Sequence, residues 1–237
     1  MAFFWTLFFL SLLFHLFSKM YFLSQDLFFP PVTEASSEGI VAVGGDLSID
    51  RLLLAYKNGI FPWFDANEPI LWWSPPKRMV VFPETYKVSK RMRQIIKQND
   101  FKVTLNRNFK SVLLHCQNIK RKGQVGTWIT DDIVTSYCKL HEIGVAKSIE
   151  VWQNNELVGG LYGIDLGTVF CGESMFSIVS NASKVAFVSL IHYLKQNKYV
   201  LLDCQVHNDY LEQLGAFEIP REEFINYLNG TNDVSLK

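Results

Sequence analysis

Cys171-Gly172-Glu173-Ser174-Met175-Phe176-Ser177 and, thirty residues on, Leu201-Leu202-Asp203-Cys204-Gln205-Val206 are the stretches around which this chain is organised. Between them Phe187, Leu190, Ile191 and Leu194 recur at the three- and four-residue spacing of one buried helix face, and Asn181 or Ser183 can cap that helix. The unit reads as strand, helix, strand. In the second strand Leu202, Cys204 and Val206 alternate with Asp203, Gln205 and His207, which places a carboxylate and an amide on one face and the apolar residues on the other.

Working outward, a chain of 237 residues, 49% of them hydrophobic, can hold one large domain or two modest ones with real cores. Cys116, Cys138, Cys171 and Cys204 show no Cys-x-x-Cys spacing, which argues against a zinc site or a disulfide framework and fits a reducing cytoplasm. The formal net charge is zero but unevenly spread. From Lys77 to Lys122 thirteen Lys and Arg face Glu84 and Asp100, leaving ten bases against twenty-one acids elsewhere. Such a dipolar chain suits a polyanionic partner; the bland reading is a solvated basic surface.

Taken in order, residues 2–17 are apolar and uncharged, slightly short for a spanning helix and without the flanks of a secretory signal. The favoured explanation is a start at Met20, ahead of a membrane anchor or a buried helix. Residues 28–76 form an aromatic and proline-rich module, with a turn at Gly44-Gly45-Asp46 and a short helix through Leu52, Leu53 and Tyr56 that Gly59 can end. In the basic segment Ser89 can cap a helix with Met92, Ile95 and Ile96 inward and Lys90, Arg91, Arg93 and Lys97 outside. Phe101, Val103 and Leu105 alternate as a strand, 108–119 reads as a helix, and Lys120-Arg121-Lys122 as a basic loop. Bases on a helix face and a nearby loop resemble a footprint for nucleic-acid phosphates. Beyond it, a helix starting at Thr130 or Asp131 leads into strands at 148–153, 157–164 and 168–171, an antiparallel meander ending before Gly172. The whole is α+β.

The motifs Gly44-Gly45-Asp46-Leu47, Gly59-Ile60-Phe61-Pro62-Trp63-Phe64, Leu71-Trp72-Trp73-Ser74-Pro75, Thr127-Trp128-Ile129-Thr130, Ser148-Ile149-Glu150-Val151-Trp152, Phe170 to Ser177 and Asp203-Cys204-Gln205-Val206 carry a resemblance. Over about residues 28–228 the chain resembles the leucyl/phenylalanyl-tRNA-protein transferases. The resemblance implies a leader at 1–19 outside the mature fold, a small N-terminal α/β domain at 20–76, and a GNAT-like acyltransferase domain with a mixed, largely antiparallel sheet at 77–237. It implies a cytoplasmic monomer that moves Leu or Phe, and sometimes Met, from aminoacyl-tRNA to a protein beginning with Lys or Arg, with no metal and no organic cofactor. Membrane contact is expected only if residues 2–17 are an anchor.

The ester of an aminoacyl-tRNA is already activated, so the enzyme's tasks are positioning and proton handling. Asp203 is the candidate to accept or hold the ammonium proton, directly or electrostatically, and Gln205 to orient the amine or polarise the carbonyl. Glu173 can bind either the cationic residue of the acceptor or the α-amino group of the donor. The resemblance maps the side-chain pocket to Leu161, Phe170, Leu190 and Leu194, and the platform for the terminal adenosine to Trp63 and Trp128, where a flat ring suits stacking. Lys90, Arg91, Arg93, Lys97, Lys120, Arg121 and Lys122 are the candidates for the tRNA backbone. Cys204 reads as a buried thiol. The rivals are an RNA-binding protein without catalysis and a coenzyme A dependent N-acetyltransferase, the latter opposed by the absence of a Gly-rich loop before the 183–197 helix.

Overall fold

Trp72 organises the aromatic module. Its indole is fully buried, its Nε1 donates to the Gly44 carbonyl at 2.9 Å, and Phe29 meets it edge-on at 4.9 Å. In the computed structural model, which describes residues 20–98, 100–119 and 127–230, this module belongs to the first of two compact units, Met1–Pro76 and Lys77–Lys237. The leader at 2–17 and the loop Lys120-Arg121-Lys122 lie outside the described residues.

The first unit holds β1 (Tyr21–Leu23), a 3-10 turn (Val32–Glu34), β2 (Ile40–Gly44), α1 (Ile49–Lys57), β3 (Phe61–Pro62) and β4 (Leu71–Trp73). Its sheet runs β1-β2-β4-β3, with β1 parallel to β2 and the other pairs antiparallel. Gly44 and Gly45 both take positive φ, +83° and +76°, to turn the chain from β2 toward α1. The helix packs inward through Leu52, Ala55 and Tyr56, while Leu53 is only half-buried; Arg51, unexpectedly, is buried and donates to the Ser24 carbonyl and to Asp46.

The second unit comprises β5 (Lys77–Val81), α2 (Lys90–Gln98), β6 (Lys102–Leu105), α3 (Phe109–Asn118), α4 (Asp131–Glu142), β7 (Ala146–Gln153), β8 (Glu156–Asp165), β9 (Val169–Ser177), α5 (Ala182–Gln196), β10 (Leu201–Gln205), α6 (Asp209–Gln213), β11 (Phe217–Pro220) and α7 (Arg221–Asn229). The strand order is β11-β5-β10-β9-β8-β7-β6, and among the described residues every neighbouring pair is antiparallel except β9 with β10. This is the mixed, largely antiparallel sheet of an α+β fold. Met79, Val81, Ile149, Val151, Leu161, Phe170, Leu202 and Cys204 turn toward α5 and α2 and form the main core. The opposite face carries Arg78, Glu150, Tyr162 and Asp203 and is covered by α3, α4 and α7, through contacts such as Phe109 with Tyr162, Tyr137 with Tyr162 and Phe224 with Arg78.

The local signals that hold include Thr130, whose hydroxyl caps α4 by accepting from Ile133 N. Others need correction. Asn181 precedes α5 in the left-handed region, φ +70°, and neither caps through its side chain nor needs to, because the Ser183 amide donates instead to Ser177 Oγ. Ile96 is 42% exposed rather than inward, since α2 packs only through Met92 and partly Ile95. The meander does not stop at Cys171: β9 continues to Ser177, still paired to β8. β10 ends at Gln205, so Val206 and His207 do not extend the alternation. Among the described residues no helix is long and apolar enough to cross a membrane.

Candidate active site

Two β-bulges, on neighbouring strands, build the site. Between β8 and β9 the register steps from Tyr162 opposite Ser174 to Gly163 opposite Gly172, leaving Glu173 as the extra residue. Between β5 and β10 it steps from Val80 opposite Asp203 to Met79 opposite Gln205, leaving Cys204 extra. A bulge bends its strand and re-aims side chains. Gln205 accordingly sits at φ +66°, a region unusual for a residue with a Cβ. The parallel ladder of β9 and β10 has three rungs, from Val169 with Leu201 to Cys171 with Asp203, and beyond them the strands part. Gly163 makes this stretch possible: a Cβ there would lie 2.2 Å from the Cys171 carbonyl oxygen and 2.4 Å from the Phe170 ring.

At the parting point the side chains interlock. Gln205 Nε2 donates to Glu173 Oε1 at 2.9 Å, and Tyr137 Oη from α4 donates to Glu173 Oε2 at 3.2 Å. The Gln205 backbone N–H donates to Asp203 Oδ1 at 2.8 Å. Asp203 has no exposed surface and is held by Arg78, whose Nε and Nη2 donate to Oδ1 and Oδ2, each at 2.8 Å. Because an ionised carboxylate only accepts, Gln205 must turn its NH2 toward Glu173 and its carbonyl oxygen away. Among the described residues that Oε1 has no hydrogen-bond partner.

Electrostatics follow from burial and pairing. Burial works against the Arg78 charge, but Asp203, aided by Cys171 and Glu173, holds the guanidinium above its ordinary range. The Cys171 thiol is pushed well up, first by burial and then by Asp203. Cys204 is 9% exposed within the α5-side core, and its thiol is raised by burial with Asp203 adding to it. It faces away from the interlocked polar groups and is inert as a nucleophile.

The structure therefore brings Asp203, Gln205 and Glu173 together. Leu161, Phe170, Leu190 and Leu194 also share one cluster, but on the opposite, α5 side of the sheet. Trp63 lies in the first unit, 41% exposed, its ring 5.7 Å from that of Trp73; Trp128 lies in the second, 9% exposed. Lys90, Arg91, Arg93 and Lys97 are all exposed on α2. Arg78 is the residue that sequence reading missed, because it reads as one member of the basic segment. The available signal was its place in Lys77-Arg78-Met79-Val80-Val81, one charge inside an otherwise buried strand. Among the described residues one metal-like grouping occurs, His207, Asp209 and Glu212, and all three are exposed.

Comparison with known proteins places this geometry in a family. Residues 80–229 match the leucyl/phenylalanyl-tRNA protein transferase family, and residues 45–76 match its N-terminal domain. A leucyl/phenylalanyl-tRNA--protein transferase of Flavobacterium johnsoniae is 62% identical over 88% of this chain and 99% of its own length. One of Flavobacterium psychrophilum is 60% identical over the same shares, and one of Christiangramia forsetii 52% identical over 88% of this chain and all of its own. Among solved structures, one of FemX covers 72% of this chain and 66% of its own at 10% identity and TM-score 0.47, too distant to carry an argument. By two family matches and relatives identical at half or more of their positions, the chain belongs to the leucyl/phenylalanyl-tRNA-protein transferase family and is a transferase.

Proposed function

We propose that the protein transfers leucine or phenylalanine from aminoacyl-tRNA to the α-amino group of an acceptor protein beginning with Lys or Arg, in the cytoplasm. The observation that carries the reading is Gln205, held at both its backbone N–H and its side-chain NH2, which leaves Oε1 as a fixed acceptor. An attacking amine must be neutral and oriented, and an amide oxygen accepts one of its N–H bonds without competing for its lone pair. The amine nitrogen then bonds to the ester carbonyl carbon, the bond to the ribose oxygen breaks, and a proton passes from nitrogen to the leaving oxygen.

Asp203 acts electrostatically rather than as the direct proton acceptor, since both its oxygens are held by Arg78 and it has no exposed surface. Glu173 orients Gln205 and keeps its negative charge for the α-ammonium of a bound substrate. Leu161, Phe170, Leu190 and Leu194 form the wall that receives the transferred side chain where β9 and β10 part, and Trp63 and Trp128 are each assigned as a ring suited to stacking on the terminal adenosine. The exposed α2 bases, with Lys120, Arg121 and Lys122, contact the tRNA backbone. We assign residues 77–237 as a GNAT-like catalytic domain, supported by the antiparallel meander that crosses through α5 into a parallel pair, and residues 20–76 as a small N-terminal domain.

The test is transfer of radiolabelled leucine or phenylalanine from charged tRNA to a model protein beginning with Arg, using the full chain and its Gln205→Ala variant. Transfer by the parent and its large loss in the variant is the expected result. Tight binding of charged tRNA without transfer would move the assignment to an RNA-binding protein, and saturable transfer from acetyl coenzyme A to an acetyltransferase.

A further inference from the structure

Arg78 falls between the two segments that match the family, 45–76 and 80–229, and its surroundings are unlike those of the bases near it. Its side chain is 1% exposed, with the guanidinium carbon 4.4 Å over the Phe224 ring of α7. The fork it makes to Asp203 differs from a free-standing core ion pair in one respect. The same Oδ1 that accepts from Arg78 Nε also accepts from the Gln205 backbone N–H. Any change in the fork moves the atom that anchors Gln205 in its left-handed conformation.

Resting on the transferase reading, we infer that Arg78 is a positioning residue of the transfer. Its fork fixes Asp203, Asp203 fixes the backbone turn at Gln205, and that turn sets the Gln205 amide against Glu173 with its oxygen toward the attacking amine. Without the guanidinium, Asp203 is a fully buried carboxylate beside Glu173 and Cys171 of β9. Stripped of the fork, that carboxylate loses its fixed orientation and is a poorer anchor for the Gln205 N–H.

The experiment compares the full-length parent with Arg78→Met, Arg78→Lys, Asp203→Asn and the double variant Arg78→Met with Asp203→Asn. Single-turnover transfer of labelled leucine is followed over a range of charged-tRNA concentrations, with the folded fraction measured by near-UV circular dichroism. Arg78→Met is expected to slow the bound-state rate about 100-fold, the cost of a roughly 1 Å misplacement, with KM for charged tRNA nearly unchanged. The double variant should be no slower than the slower single variant, because both act through one anchor. Arg78→Lys keeps the charge but not the fork and should stand about tenfold below the parent.

A loss that follows the folded fraction, with the rate per folded molecule unchanged, would reduce Arg78 to a structural residue; so would an Arg78→Met rate within threefold of the parent. Where Arg78→Met does not fold, Arg78→Lys decides, and a parent-like rate for it overturns the inference. A parent that transfers nothing refutes the transferase reading itself, and the role assigned to Arg78 falls with it.

Discussion

Glu173→Gln probes the site with an almost isosteric change. In the native arrangement both Glu173 oxygens accept, Oε1 from Gln205 and Oε2 from Tyr137. A glutamine supplies one oxygen and one NH2, so one of the two donors is left without its acceptor. If the new oxygen stays with Tyr137, the Gln205 amide flips to offer Oε1 to the new NH2, and its free face changes from acceptor to donor. The attacking amine then meets an N–H where it needs an oxygen. A hydrogen bond to a charged group is worth about 1.5–3 kcal/mol, which sets the expected loss in kcat at roughly 10- to 150-fold. On the proposed assignment the RNA is held elsewhere, so KM for charged tRNA should change little. The assay is steady-state transfer of labelled leucine to an acceptor beginning with Arg, with a urea titration to check that the fold is intact. A kcat within threefold of the parent would refute the fixed orientation of Gln205.

Other consequences follow from the surrounding structure. Glu150 is fully buried and accepts from Thr104 Oγ1, Ser148 Oγ and the backbone N–H groups of Arg107 and Asn108 ahead of α3. Glu150→Ala strands these donors and should cost about 3–5 kcal/mol in urea unfolding, whereas an exposed α2 substitution should cost almost nothing. The raised thiols of Cys171 and Cys204 stay neutral in the native state at pH values where the unfolded chain ionises them. Their contribution to stability is therefore complete below about pH 9 and falls by about 1.4 kcal/mol per thiol per pH unit above it. An equal urea midpoint at pH 8 and pH 10 would contradict this. Replacing Lys90, Arg91, Arg93 and Lys97 together by Gln should flatten the log K against log salt plot for charged tRNA by about 0.7–0.9 for each phosphate no longer neutralised, with little effect on kcat at saturation.

Much of the α+β framework was legible because helix periodicity and turn chemistry are local. The buried face of α5 through Phe187, Leu190, Ile191 and Leu194, and the Thr130 cap of α4, both stand as read. What escaped was what locality cannot carry. A two-residue alternation cannot reveal an inserted residue, so the bulges at Glu173 and Cys204 were invisible, and β9 was cut short at Gly172. Alternation says that Ser148 and Glu150 share a face but not that α3 covers it. Arg78 looked like one more base in a positive segment because its partner lies 125 residues away. Alternation put Asp203 with Gln205, the motif reading added Glu173, and the fold supplied their hydrogen bonds.

The sheet order also constrains how the site comes into being. β5 is first in sequence within its unit, yet it lies between β10 and β11, the last two strands. On a ribosome the arginine of β5 emerges well before the carboxylate that will neutralise it, and in the interval a guanidinium destined for the interior must stay in water. The strand can be captured only when the end of the chain arrives, a closure of the long-range kind that folds slowly. Activity should therefore appear late and all at once during folding. Chains ended before residue 203 would hold a sheet with the place between β5 and β9 unfilled and no chemistry to offer.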